Sequence, residues 1–396
     1  MYTRTWDGKI LPGAQELEGI YEHMINSERL LNQFLDLVRI DSETKQEGAI
    51  ARQLIKILSE LGLEVTETET VPGHGAGNLV AVLKGTRPGI DPIFFTCHMD
   101  TVVPGKGIHP IVKDGYISSD GTTILGADDK AGLAALLEAI RVIQEDGRKD
   151  HGTIQVIITV GEESGLAGAR HLDPTLISAR YGFALDSDGP VGTIVTAAPS
   201  QAKMHVAIIG KSAHAGVAPE KGISAITVAA KAIAQMPLGR IDEDTTANIG
   251  RFEGGQATNI VCERADIYAE ARSHSPAKLN EQINRMRTSF ERTAREMGAR
   301  AEVEVEIMYP AFRHGAESQL VQIAMEAAER IGRKPNLIRS GGGSDANIFN
   351  GMGIPTIVLG VGYEDIHTTK ERIPVIELEK LAEQVLAIID IVSGKK

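Results

Sequence analysis

Hydrophobic positions change their period several times along the chain. From about residue 14 to 62 the pattern is helical, with Ile50, Leu54, Ile55, Leu58 and Leu61 recurring at helical spacing and Gly62 closing the segment. Beyond it, short runs that are apolar throughout alternate with amphipathic stretches. VAVLKG, PIFFTC, TIQVIITV, YGFALD and PTIVLGVG read as strands, and ADDKAGLAALLEAIRVI and QLVQIAMEAAERIG as helices. Strands without polar alternation are buried on both faces, which predicts an α/β layer around a central, mainly parallel sheet.

Residues 200–311 have another rhythm. AKMHVAIIG, TANIGRFEG, TNIVCERADIYAEAR and AEVEVEIMY read as strands, interleaved with helices over SAITVAAKAIAQM and PAKLNEQINRMRTSFERTAREMG. The order β-α-β-β-α-β predicts a ferredoxin-like domain inserted into the first. The expected division is 1–199 with 312–396 for the outer domain and 200–311 for the insert. A length of 396 residues accommodates two cores. The apolar positions of LAALLEAIRVI and AITVAAKAIAQM are assigned to packing, and the charge-rich helix surface around 284–300 to solvent.

Composition narrows the function classes. A formal charge of −12 disfavours nucleic acid and anionic membranes as partners. No apolar run approaches a bilayer-spanning length, and MYTRTWDGKILPG lacks the apolar core of a signal peptide. Cys97 and Cys262 lie far apart in apolar runs, as expected of buried thiols in a reducing, cytoplasmic compartment.

Candidate chemistry collects behind the strand-like runs. His98 and Asp100 follow PIFFTC, and Asp128 and Asp129 precede a helix. Glu162 and Glu163 follow TIQVIITV, Asp186 follows YGFAL, and His367 lies shortly after PTIVLGVG. In open α/β sheets such positions converge at the carboxyl rim of the strands. Imidazole and carboxylate suit zinc, and His98, Asp128, Glu163, Asp186 and His367 suffice for two ions if Asp128 bridges them. In H-M-D, residues two apart on an extended strand share a face, so Asp100 can accept the second N–H of His98. Glu162 and Glu163 point opposite ways if extended; one can bind metal while Glu162 meets a metal-bound water as general base. Each cluster alone could equally be a turn or a helix cap.

HMDTVVPG, GADDKAG, GEESGLAGAR, ALDSDG, KSAHAG, ATNIV, SGGGSDANIF and the late His367 occur in one order from about residue 30 onward. In these motifs the chain resembles the di-zinc family that includes peptidase T, carboxypeptidase G and aminoacylase. GADDKAG and Asp186 look most like the peptidase T branch, although the 30-residue interval from His98 to Asp128 is shorter than expected of tripeptidases. The resemblance implies the same five ligands, Glu162 as base and Asp100 as the orienting carboxylate. It further implies two zinc ions per subunit, replaceable by cobalt or manganese, and a homodimer formed through the inserted domain, which would also act as a lid.

His214 in KSAHAG reads at first as a loop residue capping a helix; the resemblance implies that it reaches a substrate carbonyl oxygen, often in the partner subunit's site. Asn259 and Arg272 read as strand-edge and ion-pair residues, and the resemblance implies that they hold a substrate carboxylate. Gly342 and Gly343 are assigned to a pocket-lining loop, with Ser344 or Asp345 capping the next helix, because the lysine of a phosphate-binding loop is missing. The expected reaction is hydrolysis of a peptide bond in short peptides by a zinc-bridged water. The alternatives are an aminoacylase or carboxypeptidase using the same centre, or a metal- or peptide-binding protein without catalysis.

Overall fold

A computed structural model describes residues 21–147 and 150–395. Residues 1–20 lie outside the described residues, and with them the readings of the N-terminal segment and of the start of the first helical pattern. The rest of that pattern forms two helices rather than one run, Ser27–Val38 and Gly48–Glu60. Asn26 caps the first by accepting the Arg29 N–H at 3.0 Å. Its buried positions Leu30, Phe34, Leu37 and Val38 form one stripe.

The chain divides into two compact units, residues 1–196, 314–339 and 344–396 in one, and 197–313 with 340–343 in the other. The first is built on a sheet whose strands run in the order Glu64–Glu67, Leu79–Leu83, Ile154–Thr159, Ile93–His98, Tyr181–Ser187, Thr356–Gly360, Thr193–Ala198. The three pairings around Ile93–His98 and Tyr181–Ser187 are parallel, and the flanking ones antiparallel. The fold class is therefore α/β with a mainly parallel centre.

Every residue of Ile93–His98 is buried, and alternation along the strand feeds two cores. Phe95 and Cys97 join the large cluster with Leu133, Leu137, Leu381 and Val385 from the helices Ala127–Glu145 and Val375–Val392. Phe94 points to a smaller cluster and meets the Phe349 ring edge-on at 4.9 Å. His98 lies two positions along from Thr96 and so shares the Phe94 face.

The second unit carries the β-α-β-β-α-β order with one short strand, Gly239–Arg240, added after its first helix. Its antiparallel sheet runs Gly239–Arg240, Thr245–Gly254, Arg264–Ser273, Ser200–Ile209, Arg300–Tyr309. Met204, Val206 and Ile208 alternate with Lys203 and His205, and the apolar set packs on the helices Ala225–Ile233 and Pro276–Glu296. In the second helix Leu279, Ile283, Met286, Phe290 and Ala294 face inward, and its charged positions face solvent. The strand expected from residue 258 begins only at Arg264, because 257–260 forms a turn stitched to the loop before it. Among the described residues no helix is long and apolar enough to cross a membrane.

Candidate metal centre

His98 ends its strand at the sheet's carboxyl rim. There its Nε2 lies 3.1 Å from Asp128 Oδ1 and 3.6 Å from Asp186 Oδ1. His367 approaches from a loop after Thr356–Gly360 and places Nε2 3.3 Å from Asp128 Oδ2 and 3.0 Å from Glu163 Oε1. Asp128 thus offers one oxygen to a group with His98 and Asp186, and the other to a group with His367 and Glu163. Two ligand atoms around one tetrahedral zinc stand about 3.3 Å apart, so this spacing suits a pair of ions.

Local backbone explains how these side chains are presented. Gly126, at φ 75°, turns the chain into the helix Ala127–Glu145, but Asp128 (ψ 101°) and Asp129 keep non-helical angles, which frees Asp128 to project toward both histidines. Past Thr159 the chain turns at Gly161 and again at Leu166, both with φ 60°. Glu162 and Glu163 therefore lie in a turn closed by the Gly165 and Leu166 N–H groups on the Glu162 carbonyl, not in the extended strand expected. Gly161 is required here: its bare α-carbon lies under the His74 ring.

Asp100 is fully buried and does more than expected. Its Oδ1 accepts the Glu162 backbone N–H at 2.9 Å, and its Oδ2 accepts the Thr44 hydroxyl at 2.7 Å. His98 Nδ1 lies 2.9 Å from the Asp100 backbone carbonyl and 3.5 Å from the carboxylate, so the carbonyl is the nearer acceptor. Either partner leaves the proton on Nδ1 and Nε2 free to bind metal.

Protein charges alone leave the cluster short of cations. Burial, then Asp186, pushes Glu162 well above the carboxylate range, and burial raises Glu163 and, to about 6, Asp186. Burial opposes charge on His98, yet Asp100, Asp128 and Asp186 hold it well above the usual imidazole range. Asp128 and then Glu163 raise His367 to about 10. Burial would raise Asp128, but His367 and His98 outweigh it and lower that carboxyl. A divalent cation bound among these carboxylates and imidazoles would displace the protons they hold.

Three residues beside the cluster had no role assigned there from the sequence: Asp129, named only as the neighbour of Asp128; Asp345, named only as a helix cap; and Tyr363. Asp129 accepts the His98 backbone N–H at 3.2 Å through Oδ2, its Oδ1 is buried without a hydrogen-bond partner among the described residues, and the residue also falls in a potential metal-binding group with His98 and Asp186. Tyr363 directs its hydroxyl to Asp186 at 3.4 Å. Asp345, bonded to Thr159 at 2.5 Å, is raised to about 7 by burial and by Asp186. The doublet GADDKAG was the only signal for Asp129; a lone Tyr carries none.

The remaining expected residues lie in the second unit. His214 is exposed, and its Nδ1 accepts the Gly216 and Val217 N–H groups at 3.1 and 3.2 Å. The neutral ring therefore carries its proton on Nε2, outward. Asn259 sits in the turn beside it, its carbonyl accepting the Ala215 N–H at 2.9 Å. Arg272 is held by Glu270 through Nε at 2.9 Å and Nη2 at 3.2 Å, while Nη1 reaches the Gly341 carbonyl at 3.4 Å. Gly342 donates to Ser340 Oγ at 3.0 Å, and Gly343 packs on Tyr309. In the first unit, Ser344 is the cap of Asp345–Gly351 and forms a capping box with Asn347.

The chain is similar to several known proteins. The sequence pattern of peptidase family M20/M25/M40 matches residues 94–390. A solved aminopeptidase PepT from Bacillus cereus ATCC 10987 is 62% identical with a TM-score of 0.87, covering 93% of this chain and 99% of that one. A tripeptidase from Staphylococcus aureus is 53% identical with a TM-score of 0.91, covering 94% and 100%. Peptidase T of Clostridium botulinum is 27% identical over 408 residues, covering 92% and 99%.

Proposed function

The chain belongs to peptidase family M20/M25/M40, and from that premise we propose that it is a cytoplasmic di-zinc aminopeptidase of short peptides. It is a metal-dependent hydrolase of peptide bonds of the peptidase T kind. The observation that carries the finer reading is the position of Asp128 between the His98–Asp186 and His367–Glu163 pairs. His98, Asp128 and Asp186 would hold one zinc, and Asp128, Glu163 and His367 the other; bound there, the ions would acidify a water and polarise the scissile carbonyl.

The chain's own groups supply the rest. Glu162 takes a proton from the attacking water and returns it to the leaving amine. Asp100 holds the Glu162 backbone and the His98 segment together, so base and ligand keep one geometry. His214 presents Nε2–H, the donor required where negative charge grows on the carbonyl oxygen. Arg272, with Asn259 and the 342–343 loop, would receive the peptide's carboxylate, in competition with Glu270. Dimerisation through the inserted unit completes the reading and is checked by sedimentation. Buried, unpaired Cys97 and Cys262 support the cytoplasmic assignment.

The deciding experiment combines elemental analysis with cleavage of di- and tripeptides and their N-acetylated counterparts, with and without chelator. Two zincs per chain and chelator-sensitive release of a free-amine N-terminal residue are expected. The relative named as a tripeptidase makes tripeptides the first substrates to try. Cleavage of only the acetylated set would move the assignment to an aminoacylase, and absence of metal after reconstitution would refute it.

A further inference from the structure

Glu371 follows His367 by four residues and is 1% exposed. Its Oε2 accepts the N–H groups of Leu125 and Gly126, each at 2.8 Å, and its Oε1 accepts that of Asp128 at 3.1 Å. The Glu371 N–H in turn donates to the Thr368 carbonyl at 3.1 Å, next to His367. One carboxylate thereby joins the segment carrying one histidine of the centre to the turn carrying its central aspartate.

The turn needs such a partner. Asp128 and Asp129 are held out of helical geometry, and N–H groups at a helix start have no acceptor within the helix. Three donors converging on two oxygens of one fully buried side chain fix the turn more tightly than a single capping bond would. The cluster is also enclosed: Lys130 is fully buried beside it and donates to the Ile40 carbonyl at 2.8 Å.

We propose that Glu371 is a positioning residue which, by clamping the 125–128 backbone to the His367 segment, sets the spacing of Asp128 and His367 and hence the affinity of the centre for metal. This rests on the reading of those two residues as zinc ligands. Glu371 touches neither metal nor substrate; it acts through the peptide units that carry the ligands.

The test uses the full-length protein and the variant Glu371→Gln, which keeps the size but turns one acceptor oxygen into a donor facing a backbone N–H. Glu377→Gln is the control, because Glu377 also accepts a backbone N–H, that of Val191 at 2.6 Å, and pairs with Arg333, while neither bond involves Asp128 or His367. Zinc dissociation constants are measured by chelator competition, visible spectra on cobalt-loaded protein, and melting temperatures alongside. Glu371→Gln is expected to weaken zinc binding about tenfold or more and to alter the cobalt spectrum, while Glu377→Gln lowers the melting temperature and leaves both unchanged. Unchanged zinc affinity in Glu371→Gln, whatever its melting temperature, overturns the proposal. If that variant does not fold, Glu371→Asp, which keeps the charge at shorter reach, takes its place: weakened zinc binding supports the clamp, and unchanged binding overturns it. Wild-type protein that takes up no zinc refutes the di-zinc reading, and this proposal with it.

Discussion

Replacing Gly161 by alanine probes the turn that presents Glu162 and Glu163. A Cβ there would stand 2.7 Å from His74 Nδ1 and 2.8 Å from Nε2, well inside contact distance. The ring has little room to retreat, since His74 Nδ1 is bonded to the fully buried Glu47 at 2.7 Å. Alanine at φ 60° costs about 1 kcal/mol, and the overlap about 1–3 kcal/mol. The variant should therefore be about 2–4 kcal/mol less stable in urea unfolding followed by circular dichroism. A turn displaced by about 1 Å should lower turnover about a hundredfold. His74→Ala removes the obstructing ring, so the double variant should recover the overlap part and leave only the backbone part. Strict additivity of the two single changes would refute the argument, because it would mean that the ring is not what requires glycine at this position.

Three further outcomes are expected of the centre. Asp128 and Glu163 raise His367 to about 10, and it must lose its proton to bind zinc, so zinc affinity should rise with pH toward that value. Titration calorimetry at pH 7 should then give enthalpies that depend on the buffer's ionisation heat; equal enthalpies in phosphate and Tris would contradict this. Glu162→Gln should keep its zinc and lose turnover by a factor of about 10²–10⁴, and an unchanged kcat would remove Glu162 from the role of base. His214→Ala, at an exposed position, should leave melting unchanged while kcat falls by about 10²–10³; a change in KM alone would make His214 a binding residue instead.

The apolar runs made the strands legible, and the polar residues just past their ends picked out side chains that the fold brings close together, because both depend on short-range pattern. What stayed hidden depends on distant partners. Glu371 is 243 to 246 residues from the N–H groups it accepts, and nothing in a single glutamate marks such a partner. Glu162 and Glu163 follow an apolar run by one glycine, so an extended backbone was one reading of them; the turn instead contains Gly161, packed under His74, and Leu166 in left-handed geometry. Asn259 misled for the reverse reason. TNIVCERADIYAEAR has β-forming composition throughout, yet its first residues bond to the 213–215 loop instead of extending the sheet.

The sheet order has a consequence for how the molecule comes into being. Tyr181–Ser187 and Thr193–Ala198 are neighbours in sequence but not in space, because Thr356–Gly360 fills the slot between them. On the ribosome the amino-terminal part is made first, and the whole inserted unit follows before that last strand exists. Until then the slot has two bare edges, and His367, seven residues beyond the strand, has not yet been made. The strand that closes this slot and the loop that brings His367 to Asp128 and Glu163 are thus both among the last parts of the chain to be made.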